Sequence, residues 1–184
     1  MRLELICHGP TEAVQQARFP QDEDVDPQAL ATAPRPHGTF DRWLSGPELR
    51  ARRTACELFR GSPITPAPEL RDWNCDRWAG STLSDIGAMD SRALEQWLTD
   101  PSAAPHGGES LLELLARVSG FLETQSALRG RTAAVTHPAV LKAAIAGLLG
   151  AGTDAFWRID AKPFCRARLS HDGRRWTLQS LVPP

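Results

Sequence analysis

Two histidines of this chain each follow a strand-like run and precede a helix-like one, and this repeated pattern strongly restricts the folds open to the chain. His8 follows the apolar run 3–7 and is followed by Gly-Pro. His137 follows the run 132–136, and residues 139–149 then have helical spacing. In an open α/β sheet, neighbouring strand ends face one crevice, in which ligands bind. We therefore expect both imidazoles at one anion-binding site.

Strand-like and helix-like segments alternate through most of the chain, which predicts an α/β fold. Strands are predicted at 2–8, 39–45, 131–137, 164–170 and 176–182, and helices at 11–17, 47–59, 83–98 (one or two), 110–128 and 139–149. We expect a three-layer sandwich, with a mostly parallel central sheet and helices on both faces. Residues 19–38 lack periodicity and predict a long surface loop. The length of 184 residues predicts a single domain over 1–184.

Composition excludes several classes of function. The net charge of −1 provides no basic field for nucleic acid or a membrane surface. No apolar run approaches the ~20 residues that span a bilayer, and the N-terminus lacks the apolar segment of a signal peptide. The four cysteines show no C-x-x-C spacing, which is typical of reduced thiols. We expect a cytoplasmic protein whose partner is a small molecule; the oligomeric state stays open.

The segment from His8 to Thr11 has the residues of an anion site. A neutral imidazole at His8 can attack phosphorus. Gly9 lets the backbone approach a ligand closely, and Thr11 offers a hydroxyl donor beside a helix start. The alternative is a histidine that merely ends a strand.

Arg50 and Asp72 are two further candidates. Arg50 follows Ser45, a plausible N-cap, by about one helical turn, and its guanidinium can grip a phosphate in bidentate fashion. Asp72 lies among tryptophans, where a carboxyl group can have a raised pKa and donate a proton. The alternative for Asp72 is a loop carboxylate bonded to the backbone or to Arg71.

His137 can donate a hydrogen bond to a phosphoryl oxygen, with a core histidine as the alternative interpretation. Glu109 and Ser110 precede a helix-like run and are predicted to cap it rather than to act in catalysis.

Five motifs in order resemble those of the histidine phosphatase superfamily, also called phosphoglycerate mutase-like. The resemblance covers Leu3 to about Leu181. The motifs read Cys7-His8-Gly9-Pro10-Thr11, Ser45-Gly46-Pro47-Glu48-Leu49-Arg50-Ala51-Arg52-Arg53-Thr54-Ala55, Leu70-Arg71-Asp72-Trp73-Asn74-Cys75-Asp76-Arg77-Trp78-Ala79-Gly80, Gly108-Glu109-Ser110 and Val135-Thr136-His137-Pro138-Ala139.

The resemblance implies a phosphatase that needs no metal or cofactor and hydrolyses a small phosphomonoester metabolite. His8 would form a phosphohistidine. Asp72, at the position of the family's acid, would protonate the leaving oxygen and then activate water. Arg50 and His137 would hold the equatorial oxygens of the phosphoryl group. The chain is most similar to small phosphatases of the kind that includes α-ribazole phosphatase.

Three departures from the family pattern keep an alternative open. Cys7 replaces an arginine, Asp72 replaces a glutamate and Asp76 replaces a glycine. The alternative is a catalytically degenerate member that binds a phosphorylated ligand or a protein partner. Arg18 or Lys142 would have to supply the missing guanidinium's charge. A zinc site built on Cys7 and His8 is disfavoured because adjacent strand residues point to opposite faces.

Overall fold

A computed structural model describes all 184 residues, and its centre is one six-stranded sheet. The strands are β1 (Arg2–Cys7), β2 (Arg42–Ser45), β3 (Ile64–Pro66), β4 (Arg131–Thr136), β5 (Arg166–His171) and β6 (Trp176–Val182). The helices are α1 (Glu12–Gln15), α2 (Pro27–Ala31), α3 (Leu49–Leu58), α4 (Leu83–Met89), α5 (Ser91–Thr99), α6 (Leu111–Ser126), α7 (Pro138–Leu149) and α8 (Asp154–Arg158). No helix is both long and apolar enough to cross a membrane.

The strand order is β3-β2-β4-β1-β5-β6. The first four strands in this order are parallel, and β5 and β6 run antiparallel at one edge. The predicted mostly parallel α/β sheet is therefore confirmed. β1 and β4 are neighbours in a register that pairs Cys7 with Thr136. The residues that follow them, His8 and His137, leave the sheet side by side.

Side-chain alternation along β1 separates two cores. Leu3, Leu5 and Cys7 face the cluster that contains α6 and α7, whereas Ile6 packs with the apolar side of α3. Leu5 and Ile6 are both fully buried, and each such side chain contributes about 1.5–3 kcal/mol. Helices therefore cover both faces of the sheet, as the sequence predicts.

Four local predictions need correction. The 19–38 segment contains α2, which begins at an Asp26 N-cap, and β3 lies in a segment for which no strand was predicted. Helix α8 was not expected. Ser45 ends β2 and is not the N-cap of α3; that position belongs to Glu48. The predicted one or two helices over 83–98 are two, α4 and α5, with Asp90 between them.

Candidate active site

The structure brings the two imidazoles together. The ring centroids of His8 and His137 are 5.2 Å apart, and both side chains are buried. The pairing of β1 with β4 sets this distance because neighbouring strands lie about 4.8 Å apart. His137 is the N-cap residue of α7, and Pro138 occupies the first helical turn, where its missing N–H costs nothing.

His8 is held as a neutral ring with a defined tautomer. Its Nδ1 lies 2.7 Å from the carbonyl oxygen of Gly9. A carbonyl only accepts, so Nδ1 carries the proton and Nε2 keeps its lone pair. Burial, followed by the positive charges of His137 and Arg50, lowers the pKa of His8 to about 3. The ring is therefore uncharged at neutral pH and available as a nucleophile.

Arg50 lies beside the histidines with a buried side chain that is 2% exposed. One terminal nitrogen, Nη2, donates to Asp72 Oδ2 at 2.6 Å, and the other, Nη1, donates to the carbonyl oxygen of Gln21 at 2.7 Å. The third nitrogen, Nε, is buried and has no hydrogen-bond partner. A permanently charged group with an unused donor favours an anion at this place.

Asp72 lies between two positive groups, which overturns its predicted raised pKa. Burial alone would raise the pKa of Asp72, but the positive charges of His137 and Arg50 outweigh burial. The pKa is held well below its usual range, so the unliganded site contains a carboxylate. Asp72 Oδ1 also accepts from the Trp73 N–H at 2.8 Å. The predicted partner Arg71 pairs with Glu109 instead.

His137 faces a carboxylate at each ring nitrogen. Its Nε2 lies 2.7 Å from Glu48 Oε2, and its Nδ1 lies 3.3 Å from Asp72 Oδ2 without hydrogen-bond geometry. Burial lowers the pKa of His137, but Asp72 and Glu48 more than compensate and raise it above its ordinary value. Glu48 was not among the predicted site residues. An acidic residue at a helix start ordinarily complements the helix dipole, so nothing in the pattern marks it as a site residue.

Gly9 and Thr11 each make a hydrogen bond within the chain. The Gly9 N–H donates to Thr54 Oγ1 at 3.0 Å and is not free for a phosphate. A Cβ at Gly9 would lie 2.8 Å from a ring carbon of Phe164, so packing explains the glycine. The Thr11 hydroxyl accepts from the Val14 N–H as the N-cap of α1.

The segment that carries Asp72 is anchored by a buried ion pair. Glu109 accepts from Arg117 through both carboxylate oxygens, each at 2.7 Å, and the two side chains are 7% and 9% exposed. Arg117 also donates to the backbone carbonyls of Glu69, Arg71 and Asp72. Of the two predicted caps, Ser110 caps α6 in a capping box with Glu113, whereas Glu109 makes the ion pair.

The sequence as a whole carries the same pattern as a known protein family. Residues 3–183 match the histidine phosphatase superfamily, branch 1. The chain belongs to this superfamily.

Individual members of the superfamily are similar over most of the chain. A glucosyl-3-phosphoglycerate phosphatase of Mycolicibacterium vanbaalenii is 29% identical over 171 residues, which cover 83% of this chain and 76% of that protein. A bifunctional protein of Mycobacterium tuberculosis is 28% identical over 170 residues, which cover 86% of this chain. The chain spans 47% of the length of that relative.

The fold also matches solved structures. The crystal structure of an Escherichia coli protein, provisionally assigned as an α-ribazole-5′-phosphate phosphatase, superposes with a TM-score of 0.88 at 25% identity. The superposition covers 100% of this chain and 96% of the other. The phosphoglycerate mutase-like fold expected for a histidine phosphatase is thereby confirmed.

The Cys7 side chain points away from the candidate site. It is fully buried in the core beside α6 and α7, and its Sγ lies 3.8 Å from that of Cys165. Arg18 pairs with Glu12, and the Lys142 ammonium lies over the Phe156 ring. Neither cation therefore pairs with a residue of the candidate site. No group of three or more His, Cys, Asp or Glu side chains has the arrangement of a metal site.

A cavity of about 320 Å³ opens next to Glu48, Arg50 and Asp72 of the candidate site. Its lining includes the carboxylates of Asp22, Glu48, Asp72 and Asp76 and the guanidinium groups of Arg50 and Arg71. Asp76 has a φ of +36°, a backbone conformation that glycine adopts more readily than other residues. The negative side chains outnumber the positive ones around this opening.

Proposed function

We propose that this chain is a phosphatase that hydrolyses a small phosphomonoester through a phosphohistidine at His8. One observation carries the proposal: Arg50 Nε and His137 Nδ1 are buried nitrogens without hydrogen-bond partners, and they lie in one site with a neutral histidine. Buried donors are ordinarily paired, and an unpaired one requires an explanation. A phosphoryl group would accept from both.

In the proposed first step, His8 Nε2 attacks phosphorus and the bond from phosphorus to the alcohol oxygen breaks. Arg50 and His137 hold the equatorial oxygens, where negative charge concentrates in the transition state. The neutral state of His8 supports this role because its lone pair is available at neutral pH. The Nδ1–H bond to Gly9 fixes the ring so that Nε2 is the reactive atom.

The proposed proton donor, Asp72, must gain its proton when substrate binds. A phosphate dianion draws Arg50 and His137 away from Asp72 and places negative charge beside it. Both effects raise the pKa of a carboxyl group. The protonated Asp72 then gives its proton to the leaving alcohol. As a carboxylate again, it accepts a proton from the water that hydrolyses the phosphohistidine and restores His8.

The cavity supports a substrate whose alcohol part adds little negative charge. Asp22 and Asp76 line the opening, and like charges disfavour a second phosphate or carboxylate nearby. Two relatives are named as a glucosyl-3-phosphoglycerate phosphatase and a phosphoserine phosphatase. These names support a small phosphomonoester as substrate and leave its identity open.

The test of this proposal is turnover without metal. We expect the purified protein to hydrolyse p-nitrophenyl phosphate at the same rate with and without EDTA, because each step uses side chains alone. Rapid quenching during turnover should trap a phosphoenzyme that survives base and decays in acid, the behaviour of a phosphorus–nitrogen bond. Release of nitrophenol no faster than in buffer would contradict the proposal.

A second candidate function is binding of a phosphorylated ligand without turnover. It is favoured because Cys7, at the position where we expected an arginine, is buried in the core and cannot contact a phosphate. A charge-assisted hydrogen bond contributes about 1.5–3 kcal/mol, so its loss slows phosphoryl transfer by about one to two orders of magnitude. Titration calorimetry with inorganic phosphate separates the candidates: binding without phosphatase activity supports the second. A Cys7→Arg variant is a poor test, since the new charge would enter the core beside Cys165.

A further inference from the structure

Glu48 occupies the N-cap position of α3 but does not cap the helix. Its side chain makes no hydrogen bond to the first turn. Instead, Asp22 Oδ1 accepts from the Leu49 N–H at 2.7 Å. An N-cap carboxylate ordinarily bonds to the free N–H groups of its own helix. The contribution of Asp22 leaves the Glu48 carboxylate to contact the candidate site.

Both oxygens of Glu48 are committed to groups of the site. Oε2 lies 2.7 Å from His137 Nε2, and Oε1 accepts from the Asp72 backbone N–H at 3.0 Å. The carboxylate therefore connects the histidine that follows β4 to the segment that carries Asp72. A substitution that shortens or neutralises this side chain loosens both groups.

Three charged groups around His137 determine its charge. Glu48 and Asp72 face its two nitrogens and favour the protonated ring. Arg50 from α3 opposes it, burial disfavours a charge, and the neighbouring His8 is neutral. When substrate engages Asp72 and Arg50, Glu48 is the one carboxylate that remains hydrogen-bonded to His137. That bond uses Nε2–H and leaves Nδ1 as the second donor.

We propose that Glu48 is a positioning residue that holds His137 as a doubly protonated cation and directs its Nδ1–H to a phosphoryl oxygen. This inference rests on the proposed phosphatase function. Neither the five motifs nor the similarity to other members of the superfamily assigns a role to this side chain. The pair works as a buried carboxylate–imidazolium unit, in which Glu48 fixes both the ring orientation and its charge.

The test is Glu48→Gln, which keeps the size of the side chain but removes the charge and replaces one acceptor oxygen with a donor NH2 group. We expect its kcat/KM for p-nitrophenyl phosphate to fall by about 10-fold to 100-fold at about pH 8. At about pH 5, where His137 is protonated in both proteins, the kcat/KM values of wild type and variant should differ by no more than about fivefold. The alkaline limb of the pH profile should move to lower pH by about one to two units, since loss of the anion lowers the pKa of His137.

Glu57→Gln is the matched control because Glu57 lies on the same helix and pairs only with Arg35 and Arg60 on the surface. It should leave the pH profile unchanged. An NMR titration of the His137 ring gives a readout that needs no turnover. We expect His137 to lose its proton at a lower pH in Glu48→Gln than in wild type.

Each outcome decides between the hypotheses. An unchanged His137 titration in Glu48→Gln overturns the inference, whether or not the protein is active. A shifted titration with an unmoved alkaline limb in an active enzyme overturns it as well, because the charge would then have no part in the reaction. A wild-type protein without turnover refutes the proposed phosphatase function, and the titration still decides whether Glu48 holds the charge of His137.

Discussion

Replacing His8 with alanine is expected to lower kcat for p-nitrophenyl phosphate by about 10⁴-fold, the scale on which loss of a covalent nucleophile acts. Arg50, Asp72 and His137 remain in the variant and still recognise a phosphate. Binding of inorganic phosphate should therefore weaken far less than turnover. Steady-state kinetics and calorimetry on the same sample measure the two effects.

A matched control for this prediction is His37→Ala, since His37 is exposed and outside the site. It should retain the wild-type rate. If His8→Ala keeps more than about one tenth of the wild-type rate, a loss below about 1.4 kcal/mol, His8 is not the nucleophile. The phosphoenzyme trapped from wild type should also be absent from His8→Ala.

Replacing Arg117 with alanine is expected to lower the free energy of unfolding by about 3–5 kcal/mol, because Glu109 is left as a buried carboxylate without its main partner. Arg71 still contacts Glu109 at 3.2 Å but is nearly half exposed, so it compensates only in part. The three backbone carbonyls of the 69–72 segment also lose a donor. Urea denaturation measures the loss, and phosphatase activity should fall with it as Asp72 loses its fixed position.

The control for Arg117→Ala is Arg60→Ala, which breaks an exposed ion pair with Glu57. That change should cost no more than about 1 kcal/mol. Equal losses of unfolding free energy in the two variants would show that the buried ion pair contributes no more to stability than the exposed one. A double variant that also replaces Glu109 should lose less stability than the sum of its single variants, since the uncompensated charge is removed.

The sequence supports prediction of the sheet and of the meeting of His8 with His137, and the reason is geometric. Strand periodicity and the position of each histidine at a strand end are local properties, and parallel neighbours place such ends at one edge. Short elements such as α2, β3 and α8 were missed or misjudged because tertiary contacts hold them. Val25, for example, is buried just before α2, inside a segment that has no periodic pattern.

Sequence motifs alone do not predict the protonation states of the site residues. The charge of Asp72 depends on Arg50 and His137, which come from two other parts of the chain. The availability of the Gly9 N–H depends on Thr54, 45 residues away. Local composition around Asp72 is aromatic and favoured a raised pKa, whereas partners that are distant in sequence reverse the sign. Glu48 was not predicted as a site residue because its partners, His137 and Asp72, are likewise distant in the sequence.

The adjacency of β1 and β4 has a consequence for how such a scaffold can diversify. The spacing between β1 and β4 sets the distance between the His8 and His137 rings. Loops that shape the entrance can therefore change while the two rings stay in place. A one-residue slip of either strand would turn its imidazole to the opposite side of the sheet. Changes in the surface segments can thus alter which ligand the site accepts, while the hydrogen bonds between β1 and β4 keep the two histidines in position.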